Sequence, residues 1–595
     1  MSQNERQRTP GPGSKQVSSK QYLAILRTYL APQIHKVVLT AIFLLACITL
    51  RLAGPQILRL FIDTALAGAP MQQVSTIALI FLGMALSTQL ITGLATYLCE
   101  DVGWTATNQL RSDLSLHCLS LDPGFHKVHT PGELIERVDS DILALAGFFA
   151  QFVMRVLGNG LLMISILVLI FLEDIRLGLI LVIGIICMVL AMQFVQKLAI
   201  PFLKNARQAS ANLSGFWGDH FLGLEDIAAL NAGPYVLRRY FQFQRLLNRA
   251  NVKGQVMSRA VEGTRQVITT ITLALGLTLS SFFLSNGSMT IGTAFLVFTY
   301  MVQLSDNLSD ISAQVDTLQQ VITSFERITE LYATPSQILD GPGVQFPEGA
   351  LEVAFADVSF GYDQETTTLS EISFKLAPGE ILGILGRTGS GKTTLARLLL
   401  RFYDPRSGVI SLGEQDIRSA RLKDLRQHIG FVTQEVQFFQ ATVRDNLTFF
   451  DRSITDAQLL QTAEQLGLSD WLCALPQGLD TQLVSGKGFS AGEAQLLAFT
   501  RVFLKDPGLV LFDEASSRLD PASERLVIQA MGRLLDERTG IIITHHFSTL
   551  ELADKIMILE NGRIAEFGRR DALMQSPSST YATLLRTAKG EKVLP

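Results

Sequence analysis

Between Ile381 and Leu400 the chain reads ILGILGRTGSGKTTLARLLL, an apolar run, a glycine-rich turn and then a helix-forming stretch. Glycines in such a turn let the backbone curl so that its N–H groups point inward, and the following helix N-terminus adds partial positive charge. GxxxxGK[ST] in a strand–loop–helix setting is therefore a cradle for nucleotide phosphates. The loop comprises Gly386, Arg387, Thr388, Gly389, Ser390, Gly391, Lys392, Thr393 and Thr394. Its Lys392 ammonium is expected to reach the β- and γ-phosphates, and its Thr393 hydroxyl to hold Mg²⁺, so ATP and Mg²⁺ are the expected cofactors.

A second chemical element lies downstream, where LVLFDE (Leu509 to Glu514) ends an apolar strand in two carboxylates. An acidic pair after an apolar run is ambiguous alone, since it also describes a solvated strand end. With the phosphate loop upstream, Asp513 suits the Mg²⁺ shell and Glu514 suits the general base that polarises an attacking water.

Between these lies VSGKGFSAGEAQLLAFTRVFLKDPGLVLFDEASSRLD, Val484 to Asp520. This stretch resembles the ATP-binding cassette of ABC transporters, with FSAGE (Phe489 to Glu493) in place of the LSGGQ signature. FHKVHTPGELIERVDSD, Phe125 to Asp141, resembles the first coupling region of exporters that fuse six spans to one cassette. The resemblance implies that Tyr362 in VSFGYD stacks on adenine and that Gln434 in FVTQEVQ senses Mg²⁺ and contacts the membrane domain. It further implies that Asp520 in SSRLD communicates across a dimer and that His545 in IITHHFST sits near the γ-phosphate, leaving His546 solvated or facing a partner. Ser490 and Gly492 keep the signature's hydroxyl and close backbone approach to the partner's phosphate, while Ala491 adds a methyl. Glu493 puts a carboxylate where an amide is usual, which is unfavourable near nucleotide oxygens unless it is paired.

Something must hold these groups at a membrane, because 48% of the 595 residues are hydrophobic and the mean hydropathy is +0.29. The formal net charge of -4 gives no sign of a nucleic-acid partner. Five scattered cysteines show no metal-ligand spacing and read as reduced thiols. Six apolar stretches are candidate spans: Val37 to Leu58, Ile77 to Leu98, Phe148 to Leu172, Leu177 to Leu198, Val267 to Leu284 and Ile291 to Leu304. Arg51 and Arg155 fall within them and should lie near an interface or face a wet interior. Gln56, Gln89 and Gln303 are candidate path-lining groups, though single polar residues on spans are more often helix-packing groups.

The two long connections, Glu100 to Gly147 and Ala199 to Gln266, carry Arg111, Lys127, Arg137, Lys204, Arg207, Arg238, Arg239, Arg245, Arg249 and Lys253. The positive-inside rule places both loops, both termini and the cassette in the cytoplasm. Residues 1–20 are polar and lack the apolar core of a secretory signal, so they read as a disordered tail. The expected organisation is multi-domain: an all-α transmembrane domain of six long helices at 21–331, extending into the cytoplasm because polar and apolar residues alternate at helical spacing in both long loops, then a linker at 332–349 and an α/β P-loop NTPase at 350–588.

The function implied is ATP-driven export of a small amphipathic molecule, lipid or peptide, with ATP hydrolysis coupled to alternating access. Coupling regions around Phe125 to Glu133 and Gly215 to Gly233 would carry the motion. A regulatory or gating ATP-binding subunit is the alternative, and the intact Lys392, Asp513, Glu514 and His545 argue against it. One cassette per chain implies a second half-transporter, with the altered signature tilting the expectation toward a related chain over an identical copy. The expected location is a bacterial inner membrane.

Overall fold

Long apolar runs broken only by short turns produce six long helices. We label them α1 (Ile34–Leu66), α2 (Met71–Ser120), α3 (Pro131–Glu173), α4 (Ile175–Leu222), α5 (Gly233–Ser285) and α6 (Ile291–Ala333). The computed structural model describes residues 27–363, 365–483, 490–515 and 519–588. They divide into two compact units: residues 27–119 with Pro131–Thr334, and Ser120–Thr130 with residues 335–588. The expected tail at residues 1–20 lies outside the described residues.

In the first unit α2 alone has 50 residues, about 75 Å of helix against a hydrocarbon layer of about 30 Å. The helices therefore run on into water, which is why polar faces appear at helical spacing in the two long loops. Five of the six have stretches long and apolar enough to cross a membrane. The sixth, α6, falls short because Gln303, Ser305, Asp306 and Asn307 dilute its apolar face. The tight turns have local causes: the Asp174 carboxylate accepts from the Arg176 N–H at 2.7 Å and the Thr290 hydroxyl from the Thr293 N–H at 3.1 Å, each capping the helix that follows. Leu44, Ile48, Ile166, Ile170, Leu181 and Tyr300 are buried where α1, α3, α4 and α6 meet, while Leu79, Leu82, Leu86 and Leu90 of α2 remain exposed, as lipid-facing residues should be. Helix α3 contains two π-helical stretches, Glu136–Ser140 and Phe152–Gly158. Just beyond the first, buried Asp141 pairs with Arg327 at 2.5 Å and Ser324 at 2.8 Å on α6.

The second unit contains two sheets. An antiparallel sheet runs in the order β2 (Leu369–Leu376), β1 (Val353–Phe360), β4 (Ser407–Leu412), β5 (Gln415–Asp416). The larger sheet runs β10 (Arg563–Arg569), β9 (Lys555–Glu560), β3 (Ile381–Gly386), β8 (Thr539–Ile543), β7 (Leu509–Asp513), β6 (Ile429–Val432). All its pairings are parallel except the β9–β10 hairpin. Strands β7 and β8 are buried at every position, the reason LVLFD and TGIII read as continuous apolar runs without alternation.

Candidate functional site

The site forms at the carboxyl ends of the parallel strands, where ligands of open α/β sheets bind. Its convergence is a matter of register. Val432 pairs with Phe512, and Asp513 with Ile543, so the residues just beyond each strand (Gln434, Glu514 and His545) arrive at one level. Glu514 Oε1 lies 2.9 Å from His545 Nε2, and Glu514 Oε2 accepts from Gln434 Nε2 at 2.9 Å. His546 instead faces Glu524 at 3.9 Å. Glu514 has φ +51°, a left-handed conformation costly for a side chain of this kind and common where geometry serves function.

Strand β3 delivers the phosphate loop, followed by helix α7 (Lys392–Leu399). Gly391 has φ +103°, and a Cβ there would lie 2.5 Å from Leu369; at Gly386 it would lie 2.4 Å from the Leu559 carbonyl oxygen. Only glycine fits at either place. Arg387, Thr388 and Gly389 are exposed, while Ser390, Gly391, Lys392 and Thr394 are buried. Lys392 Nζ donates to the carbonyls of Gly386 at 2.7 Å and Arg387 at 3.1 Å, and burial lowers its pKa, with Glu514 and Asp513 opposing the shift. Thr393 Oγ1 donates to Asp513 Oδ1 at 3.3 Å. Burial pushes the Asp513 carboxyl above the usual range; the Thr393 hydrogen bond works against that shift, and the neighbouring Glu514 charge adds to it. The buried Ser390 Oγ has no hydrogen-bond partner among the described residues, an orphan polar atom that a phosphate oxygen would satisfy. These residues fit ATP, and the buried Asp513 beside Thr393 is a donor set that fits a hard divalent cation.

Two family models match this chain, one described as ABC transporter transmembrane region over residues 37–308 and one as ABC transporter over residues 369–517. The chain belongs to the ABC transporter family. It is similar to a solved bacterial Atm1-family ABC exporter with ATP bound, at a TM-score of 0.81 and 25% identity, over 95% of this chain and 100% of that one. It is 26% identical to the uncharacterized ABC transporter ATP-binding protein YfiC of Bacillus subtilis, over 94% of this chain and 93% of that protein. It is 28% identical to the ATP-dependent lipid A-core flippase of Idiomarina loihiensis, over 82% and 84% of the two. This ABC transporter is thus an integral membrane, ATP-hydrolysing exporter, and half-transporters of its architecture generally dimerise.

The transporter's signature segment is described from Ser490 onward; Phe489 lies outside the described residues. Ser490 caps helix α8 (Ala491–Lys505): its hydroxyl accepts from the Glu493 N–H at 3.2 Å, and the Glu493 carboxylate accepts from the Ser490 N–H at 2.7 Å. The carboxylate that looked misplaced in the sequence is half of a reciprocal capping box, paired and seated at the positive end of a helix. Glu493→Ala should destabilise the cassette by about 1 kcal/mol, whereas Glu493→Gln, which can still accept, should cost less than about 0.5 kcal/mol. Thermal unfolding of the two full-length variants checks this; equal losses would show that the box contributes nothing. Gly492 is buried, and a Cβ there would come within 2.7 Å of Ser523, so close packing within the chain already requires glycine. Asp520 is exposed and caps helix α9 (Pro521–Leu535), accepting from the Ser523 N–H at 3.1 Å.

Tyr362 is packed edge-on against Phe360 and Tyr403. Its hydroxyl meets Thr394 Oγ1 at 3.1 Å and accepts from Arg397 Nη1 at 3.2 Å, which ties it to α7. Lys127, from the short helix Pro123–Val128 in the first long connection, places its ammonium 4.3 Å from the ring centroid. That helix is fixed by Asp122, which accepts from the Phe125 N–H at 3.1 Å and the Gln337 N–H at 2.9 Å. Lys127 was legible as a positive charge within the coupling segment Phe125 to Glu133, not as a contact of the tyrosine ring. Gln495, buried on α8, was not legible at all: its amide donates to the Gln434 carbonyl at 3.2 Å and fastens the signature helix to the glutamine loop. No pattern in the sequence joins residues 61 apart in this way.

Proposed function

We propose that this chain is one half of an ATP-driven exporter of a small amphipathic molecule, lipid or peptide, seated in a bacterial inner membrane with both termini and the cassette cytoplasmic. The observation that carries the reading is the Gln434–Glu514–His545 arrangement beside the phosphate loop. In it Glu514 takes a proton from the attacking water, while Gln434 and His545 hold its two oxygens in position. Lys392 leaves its loop carbonyls to bind the β- and γ-phosphates, Tyr362 stacks on adenine, and Gly386 through Thr394 supply the cradle. Thr393, Gln434 and Asp513 would hold Mg²⁺, which supplies charge neutralisation at the phosphoryl group. Ser490 and Gly492 address the partner's nucleotide, and Asp520 the partner's cassette.

The lipid A-core flippase likeness supports an amphipathic cargo. The local pairing of Glu493 weakens the preference for a related partner chain over a second copy, while Ala491 remains a departure in the signature. A regulatory subunit without its own turnover is disfavoured by the intact base. ATP hydrolysis and vesicle transport by the chain purified alone test the reading: both should be present and both should fall in Glu514→Gln, and unchanged turnover in that variant sinks it.

Lys127 adds a smaller expected effect. An ammonium over a tyrosine face contributes about 0.5–1 kcal/mol, so Lys127→Gln should raise the KM for ATP about two- to fivefold, and Lys127→Arg should restore it. An unaltered KM in Lys127→Gln would show that the ring is positioned without it.

A further inference from the structure

The membrane unit holds ionisable groups that ATP hydrolysis leaves unused. A cavity of about 450 Å³ opens between α1, α2 and α6, lined by Arg51, Gln89, Gln303 and Asp306 together with Phe81, Met84 and Phe298. Arg51 lies 15 residues before the end of α1 at Leu66, and Asp306 lies 15 residues after the start of α6 at Ile291. At 1.5 Å per residue both are about 22 Å from the outer helix ends, within the inner half of a layer about 30 Å thick. Gln89 is at about 27 Å by the same measure, whereas Phe298 and Phe81 are at about 10 and 15 Å. The charged pair and Gln89 thus lie toward the cytoplasm and the two phenylalanines toward the outside, with Gln303 at about 18 Å and Met84 at about 20 Å between them.

Opposite charges within a span are expensive and are retained where a pathway uses them. Among the described residues neither Arg51 nor Asp306 has an ion-pair partner within 4.0 Å, and Arg265, whose charge Asp306 feels, is engaged by Glu262 and Ser305. Gln303, which also lines the cavity, keeps its Oε1 buried without a hydrogen-bond partner among the described residues. Pro55, also lining it, has no N–H to give to the Arg51 carbonyl one turn back. Gln56, the other candidate, donates to Tyr300 Oη at 3.4 Å, a helix-packing contact.

Resting on the export reading and its orientation, we propose that this cavity binds a zwitterionic amphiphile. Its ammonium meets Asp306 and Gln303, its anionic group meets Arg51 and Gln89, and its apolar body lies outward against Phe81, Met84 and Phe298. A purely anionic cargo would leave Asp306 facing like charge, and a purely cationic one would leave Arg51 so. The shared chemistry, a primary ammonium and an anionic group on an apolar body, belongs both to an ethanolamine phospholipid and to an apolar peptide.

The test uses the full chain in non-ionic maltoside micelles and measures the probe concentration that gives half-maximal stimulation of ATP turnover. Lysophosphatidylethanolamine and trileucine are the zwitterionic probes, lysophosphatidylglycerol the anionic one and dodecylamine the cationic one. At least one zwitterion should act at roughly tenfold lower concentration than either singly charged probe, and which of the two does so identifies a lipid or a peptide source. Asp306→Asn should raise the zwitterion's half-maximal concentration about tenfold without raising that of lysophosphatidylglycerol, and Arg51→Gln should raise both. Gln303→Leu, which leaves every charge in place, should weaken the zwitterion alone and serves if a charge variant fails to fold by its melting temperature. Equal potency of the singly charged probes, no response to either zwitterion, or unchanged values in folded variants would overturn the proposal. Those outcomes are separate from failure of the export reading, which is marked by unaltered turnover in Glu514→Gln.

Discussion

Glu514→Gln should lower the turnover number for ATP about 10²- to 10⁴-fold, the range general-base catalysis contributes, while ATP affinity changes by no more than a few-fold. The substitution preserves the side chain's size and removes only its capacity to take a proton. Its one remaining carbonyl oxygen can still accept from Gln434 Nε2, now 2.9 Å from Glu514 Oε2. The new amide can then donate to His545 Nε2, 2.9 Å from the other oxygen, if the ring adopts the tautomer that accepts there. The network survives while the base is lost. Steady-state hydrolysis and equilibrium ATP binding on the same preparation decide the matter, and turnover within tenfold of the parent protein would remove Glu514 from the role of base.

Lys392→Ala should do the reverse, weakening ATP binding at least about a hundredfold. Lys392 is buried, and its ammonium makes two hydrogen bonds to the loop's own carbonyls. These are the groups it must exchange for phosphate oxygens, and charge-assisted hydrogen bonds of this kind contribute about 1.5–3 kcal/mol each. Alanine leaves the loop glycines untouched, so the backbone cradle persists without its cation. Calorimetric titration with ATP should separate the two variants: Glu514→Gln binds without turning over, and Lys392→Ala does not bind at the same concentrations. Retained affinity in a folded Lys392→Ala would mean that the backbone N–H groups alone hold the phosphates.

The loop from Gly386 to Thr394 was readable because its chemistry is local. Backbone curl, lysine and hydroxyl follow one another within nine residues, and the flanking apolar run and helix are short-range patterns as well. The helices of the membrane unit were readable for the same reason. The third begins at Pro131, before the apolar run at Phe148, as the helical spacing of polar residues in Glu100 to Gly147 leads one to expect of a membrane helix that continues into water. The sixth was readable from Ile291 to Leu304, although its polar residues keep it below the hydropathy of the other five.

Sequence by itself determined the two architectures, the nucleotide chemistry and which residue types were available for it. Which of them meet was decided by tertiary structure. Parallel register brings Gln434, Glu514 and His545 to one strand edge across more than a hundred residues. A folded helix N-terminus turns Glu493 from an apparent defect into a cap. The short helix of the first long connection carries Lys127 onto Tyr362, and three helices set Arg51 and Asp306 around one cavity. The physical reason is common to all four: a side chain's partner depends on the axial shift and rotation of its helix or strand against a neighbour, and the patterns that specify helix and strand hold at many such shifts.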